Sequence, residues 1–148
     1  MSIRYLTTCD NCKTPYSFET GLAYLLFRND SFHKSSISSL GNKQYRLKLK
    51  EYLNENKDFC SPIESRLYGC KKCNFVYNID ILESFNPDFE FHCKKCKETL
   101  IKISMDTFTR KDNLYLKFYD STNSKFKCLC QNCKKELSGL VDCVMNID

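Results

Sequence analysis

The chain has 148 residues, with 23 Lys and Arg against 18 Asp and Glu, a formal charge of +5, 11 Cys and no Trp. That length suits one compact domain or two small ones, with enough Leu, Ile, Phe and Tyr for a moderate core. Residues 1–12, MSIRYLTTCDNC, lack the apolar stretch of an export leader, and the longest apolar run, Leu22 to Phe27, is too short to cross a bilayer. The expectation is an intracellular protein of a reducing compartment, cytoplasmic or nuclear, with no membrane partner and with thiols that ligate metal rather than pair as disulfides.

In chain order, residues 2–8 read as a strand, residues 14–19 as a second, and Gly21 as a turn. Leu22–Arg28 is an apolar run, strand or buried helix. Asn29–Ser39 is polar and reads as a loop. Asn42–Asn56 is the best helix candidate, because Tyr45, Leu49, Tyr52 and Leu53 share a face, although Tyr45, Leu47 and Leu49 also alternate as in a strand. Residues 57–65, with Pro62, read as a connector. Beyond Arg66 the pattern is β: Phe75–Leu82 and Phe89–His92 around a break at Asn86-Pro87-Asp88, then Thr99–Ser104, then the alternation of Leu114, Leu116 and Phe118. Ser121–Ser124 turns the chain into Lys125–Cys128, and Leu137–Ile147 is a short apolar tail of open assignment.

Four Cys-x-x-Cys pairs punctuate these elements: Cys9/Cys12, Cys70/Cys73, Cys93/Cys96 and Cys130/Cys133, in the contexts CDNCKTPYSF, CKKCNFVYNI, CKKCKETLIK and CQNCKKELSG. Such a pair forms a tight turn that aims both sulfurs at one ion, and two turns close a four-cysteine cage. Eight thiols make two cages, each suited to one Zn²⁺. Each structural zinc contributes roughly 10–16 kcal/mol of apparent binding energy to folding. Iron bound by four thiolates is the alternative metal.

The segment from Leu67 to Ile103, carried by Cys70, Cys73, Cys93 and Cys96, resembles a zinc ribbon, a β-hairpin module with a knuckle at each end. Ribbons commonly carry Gly or Pro around the knuckle, and here only Gly69 does. The resemblance implies that the two central pairs share an ion, which leaves Cys9 and Cys12 for Cys130 and Cys133. That nested pairing is similar to the zinc domain of J-domain co-chaperones, where the first and fourth repeats share one ion and the second and third another. Sequential and interleaved pairings stay open, since loop closure costs grow only logarithmically with length. The expected fold is a small β-rich α+β unit over residues 1–148. In it, zinc-ribbon-type hairpins surround two four-cysteine sites, with one inserted helix. Residues 67–103 form the central ribbon, and 1–66 and 104–148 are drawn together by the second site. Cys60, Cys128 and Cys143 are left over. Cys128 competes with Cys130 as a ligand, the two-residue spacing favouring Cys130, and a third site from Cys60, Cys128, Cys143 and His33 is a further alternative. His92, beside Cys93, reads as a strand residue.

Two zinc ions bound by eight thiolates carry a net −4, which brings the formal +5 down to about +1. Much of the positive charge lies in the knuckles, on Lys71, Lys72, Lys94, Lys95, Lys134 and Lys135. These lysines either offset the anionic centres or contact phosphate.

A closed four-thiolate site has no open position for substrate. The sequence also lacks a His-Glu-x-x-His helix, a deaminase signature, a Walker loop and a nucleophile elbow. The carboxylates Asp80, Glu83, Asp88 and Glu90 read as a solvated hairpin edge. The expectation is therefore no enzyme but an interaction module within a larger protein assembly. Direct DNA or RNA binding is the alternative, and a thiol redox or iron-binding role a weaker one.

Overall fold

In the computed structural model, residues 2–27, 39–55, 60–85, 87 and 89–147 are described. Strands β1 (Ser2–Thr8), β2 (Pro15–Phe27), β3 (Cys60–Gly69), β4 (Val76–Leu82), β5 (Ile101–Arg110), β6 (Asn113–Tyr119), β7 (Lys125–Phe126) and β8 (Val141–Ile147) surround one described helix, α1 (Lys43–Glu55). The pairing order is β7-β6-β5-β3-β2-β1-β8, with β4 added beside β3, and every pairing is antiparallel. The sheet curls until its ends approach. Leu140, just ahead of β8, bridges to Tyr115 of β6, and the Leu116 N–H donates to the Gly139 carbonyl at 2.9 Å. Gly139 has φ +78°, and a Cβ there would stand 2.7 Å from the Leu116 carbonyl oxygen, so only glycine allows this approach.

The buried residues form two core clusters. In one, Phe18, Leu67, Val76, Ile103, Leu116, Phe118, Phe126 and Leu137 pack together. In the second, α1 lays Tyr45, Leu49 and Leu53 among Ile63, Tyr68, Ile81, Leu82 and Phe91. Asn42 caps α1, its Oδ1 accepting from the Tyr45 N–H at 2.8 Å. Leu47 is 54% exposed, so the helical period wins over the competing alternation. The Tyr45 hydroxyl donates to the Phe85 carbonyl at 2.7 Å and accepts from the Leu82 N–H at 3.0 Å, tying α1 to the end of β4.

Several expected boundaries are corrected. Gly21 does not turn the chain. β2 runs through it at φ +106°, and the register with β3 shifts between Leu22 and Leu25, so the glycine bends one long strand. The stretch 60–65 is not a connector but the first half of β3. Pro62 is tolerated there because the ladder with β4 begins one residue later, at Ile63↔Leu82. Phe89–His92 is not a strand. Only His92 bridges, to Thr99, and Phe89 and Phe91 instead pack their rings against Tyr45 at 5.7 and 6.3 Å. The strand expected over Thr99–Ser104 is the longer β5, and the apolar tail is the edge strand β8. The loop expected over Asn29–Ser39 falls, apart from Ser39, outside the described residues, as do Arg28, Asn56, Asn86 and Asp88.

Candidate metal centres

All four knuckles have the same backbone. The residue after the second cysteine adopts positive φ in each: Lys13 (62°), Asn74 (59°), Lys97 (68°) and Lys134 (66°). Its N–H donates to the carbonyl of the first cysteine at 2.9, 2.8, 3.0 and 2.9 Å respectively. The first cysteine's own N–H donates across the turn to the carbonyls of Thr14, Phe75, Glu98 and Lys135. Three lysines and an asparagine thus stand where ribbons commonly use glycine, at a backbone cost of about 1–2 kcal/mol each.

The knuckles come in two structural types. The first two each close a hairpin, with Thr8↔Pro15 at the mouth of one and Gly69↔Val76 at the mouth of the other. The last two are each framed by a single bridge, His92↔Thr99 or Leu129↔Glu136. A main-chain bond follows in each case, from the Leu100 N–H to the Phe91 carbonyl and from the Leu137 N–H to the Cys128 carbonyl. One knuckle of each type builds each centre. The strand that follows the later knuckle then pairs with the strand that leads into the earlier one, β5 with β3 and β8 with β1. The chain therefore holds two copies of one three-stranded unit, and the copy formed by its two ends encloses the central copy.

This correspondence assigns the extra cysteine. Cys128 occupies the place that Phe91 holds in the other copy; both are buried core residues, and burial pushes the Cys128 thiol up to about 12. Cys143 is exposed on β8. His33 lies outside the described residues, as does the side chain of Cys60. His92 is exposed and faces Glu90 at 4.0 Å rather than a sulfur.

The structure gathers Cys9, Cys12, Cys130 and Cys133 into an outer centre, and Cys70, Cys73, Cys93 and Cys96 into a central one. The four sulfurs of each lie within 4.8 Å of one another. The pairing is nested. Separations are 3.6 Å for Cys9–Cys133, 3.5 Å for Cys12–Cys130 and 3.4 Å for Cys70–Cys96. A disulfide would need about 2.05 Å. A single ion with metal–sulfur bonds of about 2.3 Å in a tetrahedron spaces its sulfurs about 3.8 Å apart, so the donor set fits one ion of that kind per centre. An iron–sulfur cluster, with its own iron and sulfide between the thiolates, would spread them further. Cys9, Cys70, Cys93 and Cys130 are 0–1% exposed, and their partners Cys12, Cys73, Cys96 and Cys133 are half-buried.

Hydrogen bonds converge on the buried sulfurs. The Cys73 N–H donates to Cys70 Sγ at 3.3 Å, and backbone N–H groups of the same turn reach Cys9, Cys93 and Cys130. Two tyrosines in equivalent positions add a phenol. Tyr16 lies 3.0 Å from Cys130 Sγ, and Tyr77 lies 3.2 Å from Cys93 Sγ. Each follows its own knuckle as Cys-x-x-Cys-x-x-x-Tyr and reaches the first cysteine of the opposite knuckle. Burial alone would raise Cys93, but the Tyr77 hydroxyl and the Cys96 N–H outweigh it, and its pKa falls to about 6. Cys73, partly desolvated and crowded by the thiols of Cys96 and Cys70, is pushed up to about 12. A divalent cation held by these sulfurs would offset that repulsion and let all four bind as thiolates.

Removing the Tyr77 donor raises the Cys93 pKa, so protons compete with metal at higher pH. Tyr77→Phe is therefore expected to move the acid midpoint of metal release from the central centre upward by about half to one pH unit, with the outer midpoint unchanged. A ¹¹³Cd NMR titration, which gives one resonance per centre, checks this. Equal shifts at both centres, or none, would contradict the phenol's role.

Lys71, Lys72, Lys94, Lys95, Lys134 and Lys135 are all exposed around the two centres. Lys134 is the most constrained, with Nζ donating to the Gln131 carbonyl at 2.6 Å and standing 4.6 Å from the Phe75 ring centroid. Composition and spacing did not mark Tyr16 or Tyr77 as partners of the sulfurs. The signal was the tyrosine shared by CDNCKTPY and CKKCNFVY, which reads as an ordinary apolar strand position until the opposite knuckle is in place. Among the described residues no helix is long and apolar enough to cross a membrane, and the described cysteines are free. No protein-family model matches this chain, and no curated protein or solved structure matches it.

Proposed function

We propose that this chain is a non-catalytic, zinc-binding structural module that works inside a larger protein assembly, one associated with transcription or with nucleic acid. The observation that carries the proposal is the donor set. Each centre offers four sulfurs and, among the described residues, no fifth His, Cys, Asp or Glu ligand, with two of the four fully buried. A closed set of this kind suits structural zinc and leaves no site for a reacting water. Each three-stranded unit resembles a zinc ribbon, and two ribbons joined through β2 and β3 give a stiff β-body from which loops and edges can dock. Two closed cages favour ligation over thiol redox, which works best from one accessible pair. Free thiols in this number suit a reducing compartment.

Cobalt substitution tests the closed character. Co²⁺ at both centres is expected to give the intense charge-transfer and visible bands of tetrahedral four-thiolate coordination, unchanged by millimolar azide or cyanide. Bands that shift with added anion would reveal an open position and overturn the non-catalytic reading.

A further inference from the structure

The knuckles of the two centres lie side by side, which makes one surface from loops distant in sequence. Asn74, in the second knuckle, donates Nδ2 to the Lys127 carbonyl at 3.0 Å and accepts the Leu129 N–H at 2.8 Å. These bonds fasten the second knuckle to the segment that enters the fourth. Lys134 of the fourth knuckle then reaches back over Phe75 of the second, held there by its bond to the Gln131 carbonyl and by the ring.

Two four-thiolate ions would carry about −4 beneath six exposed lysines, which leaves about +2 on this face. Among the described residues none of the six stands in an ion pair with a carboxylate, whereas Lys127 at the entry to the fourth knuckle is paired with Glu136. The carboxylate of Asp120, held ionised by bonds from Thr122 and Ser124, lies in the field of Lys71 and offsets part of its charge. The surface thus presents six exposed lysines across three adjoining loops, with Lys134 held in place.

We propose that this knuckle face binds the phosphate backbone of a single-stranded nucleic acid, along a track that crosses from the central centre to the outer one. Lysine presents a point charge rather than a directional fork, which suits phosphate contact and carries no base information. The proposal rests on the metal reading only for the shape of the knuckles.

The test is fluorescence anisotropy of labelled single-stranded DNA and RNA with the metal-loaded full chain across a salt series, with metal content measured in the same samples. Binding is expected at low salt, with log K falling linearly in log salt and little change between sequences. Lys95→Gln with Lys134→Gln is expected to weaken binding and flatten that slope by about 1.4, from two phosphates at about 0.7 each. Lys43→Gln with Lys50→Gln on α1 removes the same charge and is expected to leave binding unchanged. Lys71→Gln with Lys94→Gln, which does not touch the Phe75 contact, repeats the test if the first pair sheds metal. A chain that carries both ions and fails to bind at low salt overturns the proposal and leaves the zinc reading intact. Equal weakening by the α1 pair, or competition by polyglutamate as strong as by inorganic polyphosphate, overturns it as well. Binding with the same slope by a metal-free chain would overturn it too, because the track would then not depend on the folded knuckles.

Discussion

A Cys93→Ser chain is expected to lose both metal ions, whereas Cys9→Ser is expected to lose one. The asymmetry follows from the nesting. Residues 70–96 contain all four ligands of the central centre, so that centre closes without help from the chain ends. The outer centre must join Cys9 and Cys12 to Cys130 and Cys133 across nearly the whole chain. Its second half is seated on the central knuckle by the Asn74 bonds to Lys127 and Leu129 and by Lys134 over Phe75. Without the central ion the second knuckle loses its shape, and the outer ligands lose their seat. Each structural zinc supplies about 10–16 kcal/mol of apparent binding energy. Ordinary stability is about 5–15 kcal/mol, so loss of the central ion exceeds what the rest of the fold can absorb. Native mass spectrometry of the purified variants reads the stoichiometry directly. A Cys93→Ser chain that keeps one ion at full occupancy, with β1 and β8 still protected from hydrogen exchange, would show the centres to be independent.

The second large effect is expected at Tyr45. Its ring is 1% exposed and packs against Phe85, Phe89 and Phe91, and its hydroxyl links the Phe85 carbonyl to the Leu82 N–H. Tyr45→Ala empties that space and is expected to cost about 3–5 kcal/mol. Tyr45→Phe keeps the ring but strands the buried Leu82 N–H, for about 1–3 kcal/mol. Urea unfolding with saturating zinc measures both, because excess metal keeps the thiolate contribution constant. If Tyr45→Ala cost less than about 1 kcal/mol, α1 would not be the lid of the second core.

The metal centres were legible in the sequence because ligation needs specific atoms at specific spacings, and the four Cys-x-x-Cys pairs state both. The helix was legible for a similar reason. Tyr45, Leu49 and Leu53 set a period of four, and Asn42 stands at the cap. Strand extents were less legible, since they depend on partners. Pro62 and Gly21 read locally as breaks, yet the curled sheet accepts one at the margin of a ladder and the other at a bend. Phe89 and Phe91 alternate like a strand, but Tyr45 on a distant helix claims their rings. The duplication was hidden because its copies share little beyond cysteines and a tyrosine. What they share is hydrogen-bond register, which residue types do not encode. Cys128 shows the same point, for its equivalence to Phe91 appears only once both bridges are drawn.

The most direct test of the closed centres is zinc K-edge X-ray absorption on protein purified without added metal, alongside zinc quantitation. The account predicts two zinc ions per chain and one shell of four sulfurs at about 2.3 Å. A shell containing nitrogen or oxygen, or a folded protein that carries no metal, would contradict it.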